Sequence, residues 1–401
     1  MPRAGWSRLL AAITGPLPPS ISANVAIEAR TTLAYGVFYA AGLAFLPVIM
    51  RRLGAGADLL ALYITLTYVG ELLAPLSLPA LRHTTPLRLV VGCWVAARLV
   101  FIALAAASSP WAVIAVVTVF SIIELFPAPA YARLIHEAYP LEVRGRAMSA
   151  TRMVMVAAMI VVTPLAGMAL DRVGPAVLLP LAAGVGVLGA LNFARFRAAA
   201  PAAHGAADPR AAPGMIAAIR DDRRFLVYLC GVILFGFGGI IGTPLYPIVH
   251  VDRLQLSYTT IGTLTLVQSL CWLAGFVLWG RVIDRHGALT VVVIGALCSA
   301  GVPLVYLAAV DAWSLAPAFI LQGLVYAGFD LGMKNAVFQL AGATRVAAYA
   351  AAQQLIIGAR GLVAPLASAG LIRLGVADAA IFVTGALLLV AAALVFQRVR
   401  G

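Results

Sequence analysis

The chain has 401 residues, of which 63% are apolar and only 11% charged, and its mean hydropathy is +1.01. Soluble domains run nearer half apolar and a quarter charged, so this composition excludes both a water-soluble globule and a disordered chain. Basic residues exceed acidic ones by 28 − 15 = 13, and Lys334 is the only lysine.

Missing motifs narrow the class further. A phosphate-cradling loop needs Gly-Lys-Ser/Thr, but Lys334 is followed by Asn335. His136-Glu137 opens like a zinc-protease helix, yet Pro140 stands where the second histidine belongs. Cys93, Cys230, Cys271 and Cys298 are far apart inside apolar runs, which suits packing. Neither metal nor cofactor is expected, and an enzyme is not.

A bilayer core of about 30 Å is crossed by roughly 20 apolar residues of helix. In chain order, twelve such runs are predicted at 28–50, 59–80, 87–107, 111–134, 147–170, 176–195, 225–249, 259–280, 288–309, 313–336, 347–371 and 377–396. The proline-containing lead, 1–24, lacks the pattern of a removable signal peptide. Alternate loops and the two tails carry 19 basic residues, against five in the opposite loops and four within spans. Positive charge stays cytoplasmic during insertion, so both termini are expected inside. The charge excess is therefore a topology signal, and nucleic acid is not an expected partner. Trp111 and Trp313 open spans on the outer side, as interfacial anchors do.

The chain is internally duplicated. At a lag of 201, Arg144 meets Arg345, Pro164-Leu165-Ala166 meets Pro365-Leu366-Ala367, and Arg172-Val173-Gly174 meets Arg373-Leu374-Gly375. Arg52-Leu53 meets Arg253-Leu254 at the same lag; Trp111 and Trp313 are 202 apart, and small indels in loops account for the drift. Two six-span bundles, 25–198 and 222–401, are thus expected, joined by a cytoplasmic Ala/Pro/Gly linker at 199–221. This plan resembles the major facilitator superfamily over almost the whole chain. The resemblance implies an all-α integral membrane fold of twelve helices in two pseudo-symmetric halves.

The most specific match is Gly280-Arg281-Val282-Ile283-Asp284-Arg285-His286-Gly287, similar to the family's Gly-x-x-x-Asp-Arg-x-Gly loop. Gly167-Met168-Ala169-Leu170-Asp171-Arg172-Val173-Gly174 repeats the pattern after span five. Between spans two and three the motif is lost: Ser77, Leu81 and Thr84 replace its Gly, Asp and Gly. Thr163-Pro164 stands in span five where the family's antiporter signature has Gly-Pro. Arg152 corresponds to Gln353 at lag 201, so Asp284 and Arg152 are retained while their mirror positions are neutral. The resemblance implies a cytoplasmic latch of Asp284, Arg285, Gly280 and Gly287 with Arg152; the alternative is that Arg152 snorkels to the headgroups.

Ionisable groups at membrane depth are costly and ask for a partner or a task. Span one presents Glu28, Thr32, Tyr35 and Tyr39 on one stripe. Glu71 and Arg98 are equidistant from the Thr84-Thr85 hairpin, which predicts a structural ion pair. Glu124 has no basic residue within a turn on span four, which makes it the first candidate for a coupling proton; a hydrogen bond to a neighbouring span is the alternative. Gln322, Tyr326, Asp330 and Lys334 form a stripe on span ten, Asp330 either exchanging a proton or being neutralised by Lys334. Gln353 and Arg360 share a face of span eleven, Arg360 serving an anionic substrate or acting as counter-ion to Glu124. Gln268 and Trp272 of span eight and the Gly/Pro-rich run 235–244 of span seven complete the candidate lining.

The expected protein is a monomeric inner-membrane secondary transporter working by alternating access, driven by protons and exporting small amphipathic or drug-like molecules. Its partners are the lipid bilayer, its substrate and protons. An organic-anion carrier, or a non-transporting receptor or scaffold of the same fold, are the alternatives.

Overall fold

A computed structural model describes residues 14–15, 17–77, 79–197, 220 and 222–400. The expected linker 199–221, apart from Arg220, lies outside the described residues, as does most of the lead. Among the described residues there are helices and no strands. The main helices are α1 Pro19–Ala41, α2 Leu46–Arg52, α3 Ala57–Leu73, α4 Pro86–Ile102, α5 Pro110–Leu125, α6 Ala128–Ala138 and α7 Leu141–Val173. They continue with α8 Pro175–Phe193, α9 Arg223–Ile241, α10 Tyr258–His286, α11 Ala288–Ala308, α12 Ala312–Arg373 and α13 Asp378–Arg400.

Local chemistry sets the helix ends. Thr85, Ser109 and Ser257 accept backbone N–H bonds from Arg88, Ala112 and Thr260 at the starts of α4, α5 and α10. Gly174 and Gly287, the last residues of the two motif copies, have φ of +73° and +80° with extended ψ, a region essentially reserved for glycine. Each ends one helix and lets the next begin at the following residue.

Among the described residues, eleven helical stretches are long and apolar enough to cross a membrane. The predicted second span is represented by α3, whose 17 residues give way to 3-10 turns at Ala74–Ser77 and Pro79–Arg82. Predicted spans ten and eleven fall in one helical run, α12. The Tyr228 hydroxyl touches both Met333 Sδ, at 3.2 Å, and Gln353 Oε1, at 2.7 Å. On a straight helix those two residues stand about 30 Å apart. The run must therefore fold back near its middle, which makes two antiparallel spans.

Two compact units form, Met1–Leu53 with Leu66–His204, and Gly54–Thr65 with Gly205–Gly401. Residues 54–65 join the second unit because Asp58 pairs with Arg373 at 3.2 Å and Thr65 donates to the Leu362 carbonyl. In the first unit α1 packs on α7 and α8, and α8 on α4; in the second α9 packs on α13, and α13 on α11. The pairings of α1 with α8 and of α4 with α8 recur as α9 with α13 and α11 with α13, so the duplication is structural.

The repeat extends to irregularities. Gly42 and Gly242 each end a helix before a 3-10 turn, at Leu43–Phe45 and Thr243–Leu245, a lag of 200. By Arg52 and Arg253 the lag is 201. The extra residue sits in a helix and not, as expected, in a loop. Leu53 N–H donates to the Ile49 carbonyl, four residues back, whereas Leu254 N–H donates to Val249, five back. The segment Val249–Arg253 is a π turn, the form a helix takes when one residue is inserted.

Candidate functional site

In the first unit the polar centre is Arg98 with Glu124. The Arg98 guanidinium binds both carboxylate oxygens, with Nη2 at 2.9 Å from Oε1 and Nη1 on Oε2. Both side chains are almost fully buried. Arg98 Nη1 also donates to its own Trp94 carbonyl at 2.9 Å. The rings of Tyr35, Phe38 and Trp94 surround the cation at 5.4–5.8 Å. A delocalised cation gains from aromatic faces once water is excluded.

This arrangement corrects two expectations. Arg98 is bound to Glu124 and not to Glu71, which lies on the exposed face of α3. Glu124 is not a lone carboxylate, because its partner comes from the adjacent helix α4. The hairpin count assumes equal helical rise on both sides, whereas Ala74–Ser77 and Pro79–Arg82 are 3-10 turns, and it carries nothing about the bearing of Arg98 around its helix. The side chain folds back one turn onto Trp94, and this sets it level with Glu124 on α5.

A second buried carboxylate stands nearby in the same unit. Glu28 accepts from the Tyr131 hydroxyl at 2.6 Å and the Tyr139 hydroxyl at 2.7 Å. Arg152, on an exposed face of α7, reaches Met155 Sδ at 3.8 Å and lies within electrostatic reach of Tyr35 and Tyr131. Tyr39 is more open, its ring 6.3 Å from Tyr35. Asp171 of the first motif copy pairs with Arg52 at 4.0 Å.

In the second unit Arg360 is buried against α9. Its Nη1 donates to the Val232 carbonyl at 2.7 Å, and Phe235 and Phe329 flank the guanidinium at 5.8 and 5.6 Å. Gly236 leaves the room it occupies, since a Cβ there would overlap the Arg360 side chain. Gln353 accepts from Tyr228 one turn earlier on α9, so the predicted shared face exists and both residues use it on that helix. Lys334 pairs with Asp330 at 2.8 Å, four residues apart on α12, a contact that both expectations for Asp330 contain. Asp284 and Arg285 are exposed at the end of α10, in the second unit, while Arg152 belongs to the first. Gln268 is half-buried on α10.

Sequence reasoning missed His250, which is buried in the π turn with Nε2 3.0 Å from the Tyr306 hydroxyl. Only the one-residue lag change signalled it. Outside the spans, Asp222 caps α9, accepting from Phe225 N–H at 3.0 Å and the Tyr349 hydroxyl at 2.6 Å. Burial pushes its carboxyl up, but hydrogen bonds from Tyr349, Phe225 and Arg224 and the Arg345 charge outweigh this and hold it below the ordinary value.

Residues 227–400 match the sequence profile of the Major Facilitator Superfamily. No curated protein sequence matches the chain. Among solved structures the chain is similar to a variant of the nucleoside transporter NupG, with a TM-score of 0.73 and 12% identity over 93% of this chain and 98% of that one. A variant of the peptide transporter POT gives 0.72 and 16% identity, over 98% of each chain. A bacterial homolog of the human lysosomal transporter Spinster, inward-facing and unoccupied, gives 0.61 and 13% over 96% of each. Residues 227–400 thus match the Major Facilitator Superfamily by sequence, and the whole chain shares the fold of these transporter structures.

Proposed function

We propose that the protein is a proton-coupled secondary transporter of the inner membrane, exporting small amphipathic or drug-like organic molecules by alternating access. The observation that carries this reading is the Arg98–Glu124 pair, buried between two helices of one unit and ringed by aromatics. A carboxylate whose counter-ion belongs to a neighbouring helix can exchange that counter-ion for a proton. On protonation the guanidinium is released to the surrounding rings and the Trp94 carbonyl, and the two helices lose their strongest tie. The wall chemistry supports the substrate class: Tyr35, Trp94 and Tyr39 offer apolar faces with few polar handles.

Proteoliposomes loaded with a pH-sensitive dye test this reading. Chloramphenicol or ethidium should move protons in the wild type, and Glu124→Gln should abolish proton-driven accumulation while sparing exchange down a substrate gradient. Proton-driven accumulation unchanged in Glu124→Gln overturns the assignment of the coupling site; no proton movement with either compound overturns the reading itself.

A second reading is an organic-anion carrier. It is favoured by one observation, the buried Arg360 guanidinium held between Phe235 and Phe329. Salicylate uptake lost in Arg360→Gln and indifferent to Glu124→Gln would decide for it.

A further inference from the structure

The π turn Val249–Arg253 replaces hydrocarbon with a buried imidazole. The corresponding positions of the first unit, at lags 200 and 201, are Met50 and Ile49, both buried. The packing of this element therefore runs on apolar side chains where the repeat is regular. Inserting a residue and burying a histidine costs desolvation that the fold does not require, and π turns of this kind recur at functional sites.

The imidazole opens onto a cluster built wholly within the second unit. The Tyr306 hydroxyl is its hub, hydrogen-bonded to His250 Nε2 at 3.0 Å and to the Gln322 side chain. The Tyr306 ring stacks on Tyr246 with centroids 3.8 Å apart and planes at 16°. Tyr326 lies within electrostatic reach of both phenols, and Trp272 meets its ring edge-on at 5.5 Å. Among the described residues two buried nitrogens of this cluster have no hydrogen-bond partner, His250 Nδ1 and Trp272 Nε1. Buried polar atoms are almost always paired, so two orphans in one cluster point to a ligand that supplies the partners.

We propose that His250, Trp272, Tyr306, Gln322 and Tyr326, with Tyr246 behind them, bind an uncharged flat heteroaromatic ring that carries hydrogen-bond acceptors on its edge. Flatness follows from the tyrosine and tryptophan faces, of which Tyr326 is 44% exposed and forms the open side. Acceptors follow from Trp272, whose indole N–H can only donate. His250 Nδ1 adapts: a Tyr306 hydroxyl donating to Nε2 leaves Nδ1–H as a donor, and one accepting leaves Nδ1 as an acceptor. Gln322, with both an amide oxygen and an amide N–H, supports either direction. Charge is disfavoured on both sides. The Arg253 guanidinium, which donates to the Tyr306 carbonyl, repels a cation from the aromatic faces. An anion would have to leave water for a wall of rings and phenols. The inference rests on the transporter reading for its purpose, since it names the substrate class, but the binding itself is measured separately.

The test is titration of the purified protein with caffeine and uracil, two uncharged flat rings of different size, against tetraphenylphosphonium and salicylate. Thermal shift and tryptophan fluorescence are read together. Caffeine or uracil should stabilise the wild type, and affinity should fall at least tenfold in Trp272→Phe, which keeps the ring plane and removes the N–H. His250→Met removes both ring nitrogens and should bind equally poorly; the melting temperature of the ligand-free variant is read beside it to separate loss of the site from loss of the fold. The site is refuted if neither uncharged ring binds, if binding survives both substitutions, or if only the cation or the anion binds. Binding at this cluster without proton movement would overturn the coupled-transport reading and leave the site standing; proton-driven transport without such binding would do the reverse.

Discussion

Removing one member of the Arg98–Glu124 pair should cost far more than replacing both. Arg98→Met leaves the Glu124 carboxylate among Tyr35, Phe38 and Trp94 with its bidentate partner gone. Breaking a buried pair in this way costs about 3–5 kcal/mol, since the remaining charge is uncompensated. Glu124→Gln costs less, about 1–3 kcal/mol, because the amide oxygen still accepts one guanidinium N–H and the Trp94 carbonyl holds the other side. The double variant Arg98→Met/Glu124→Leu carries no buried charge, and replacements of that kind are often neutral to within about 1 kcal/mol. Unfolding of the wild type, Arg98→Met, Glu124→Leu and the double variant in the same mixed micelle, followed by tryptophan fluorescence, gives the cycle, with Glu124→Gln measured beside it. The double variant should be more stable than Arg98→Met alone, with a coupling energy of about 3 kcal/mol. Additive losses, leaving the double variant the least stable of the three, would refute the pairing as the source of the stability.

Three further outcomes follow. Gly287→Ala forces a side chain into a backbone region at φ +80° and should lower stability by about 1–3 kcal/mol; Gly280→Ala, with nothing within 4 Å of an added Cβ, should be near neutral, and melting curves compare the two. Gly236→Ala drives a methyl into the Arg360 side chain and should cost about 1–3 kcal/mol, recovered when Arg360 is shortened to Leu in the same chain. Because the Asp222 carboxyl is held below its ordinary value, its contribution is complete above about pH 4 and is lost as pH falls through the lowered folded value. Tyr349→Phe, which removes its 2.6 Å donor, should reduce the melting temperature at pH 7 and have no effect once Asp222 is protonated in both proteins.

Much of the candidate site was legible as chemistry but not as geometry. Glu124, Arg98, Arg360 and Asp330 stand out as charges in apolar runs, and the i,i+4 spacing of Asp330 and Lys334 gives their pairing directly. That pairing is local, set by the pitch of a single helix. The partner of Arg98 was not legible, because counting residues from a hairpin carries nothing about bearing around the helix. Which neighbour the side chain faces depends on the rotation of α4 against α5. Gln353 shows the same limit: its polarity is visible, but its role as acceptor for Tyr228 depends on where α12 folds back beside α9.

The sequence by itself determined that this is a membrane protein of two repeated halves. Apolar run length, arginine placement and the lag near 200 each act through local or whole-chain physics that needs no partner: bilayer thickness, insertion charge bias and chain duplication. Tertiary structure alone decided which buried charges meet. It also decided that one inserted residue becomes a π turn aiming His250 into the second unit. A helix absorbs an extra residue by widening one turn, and where that turn directs its side chain is set by the helices packed against it.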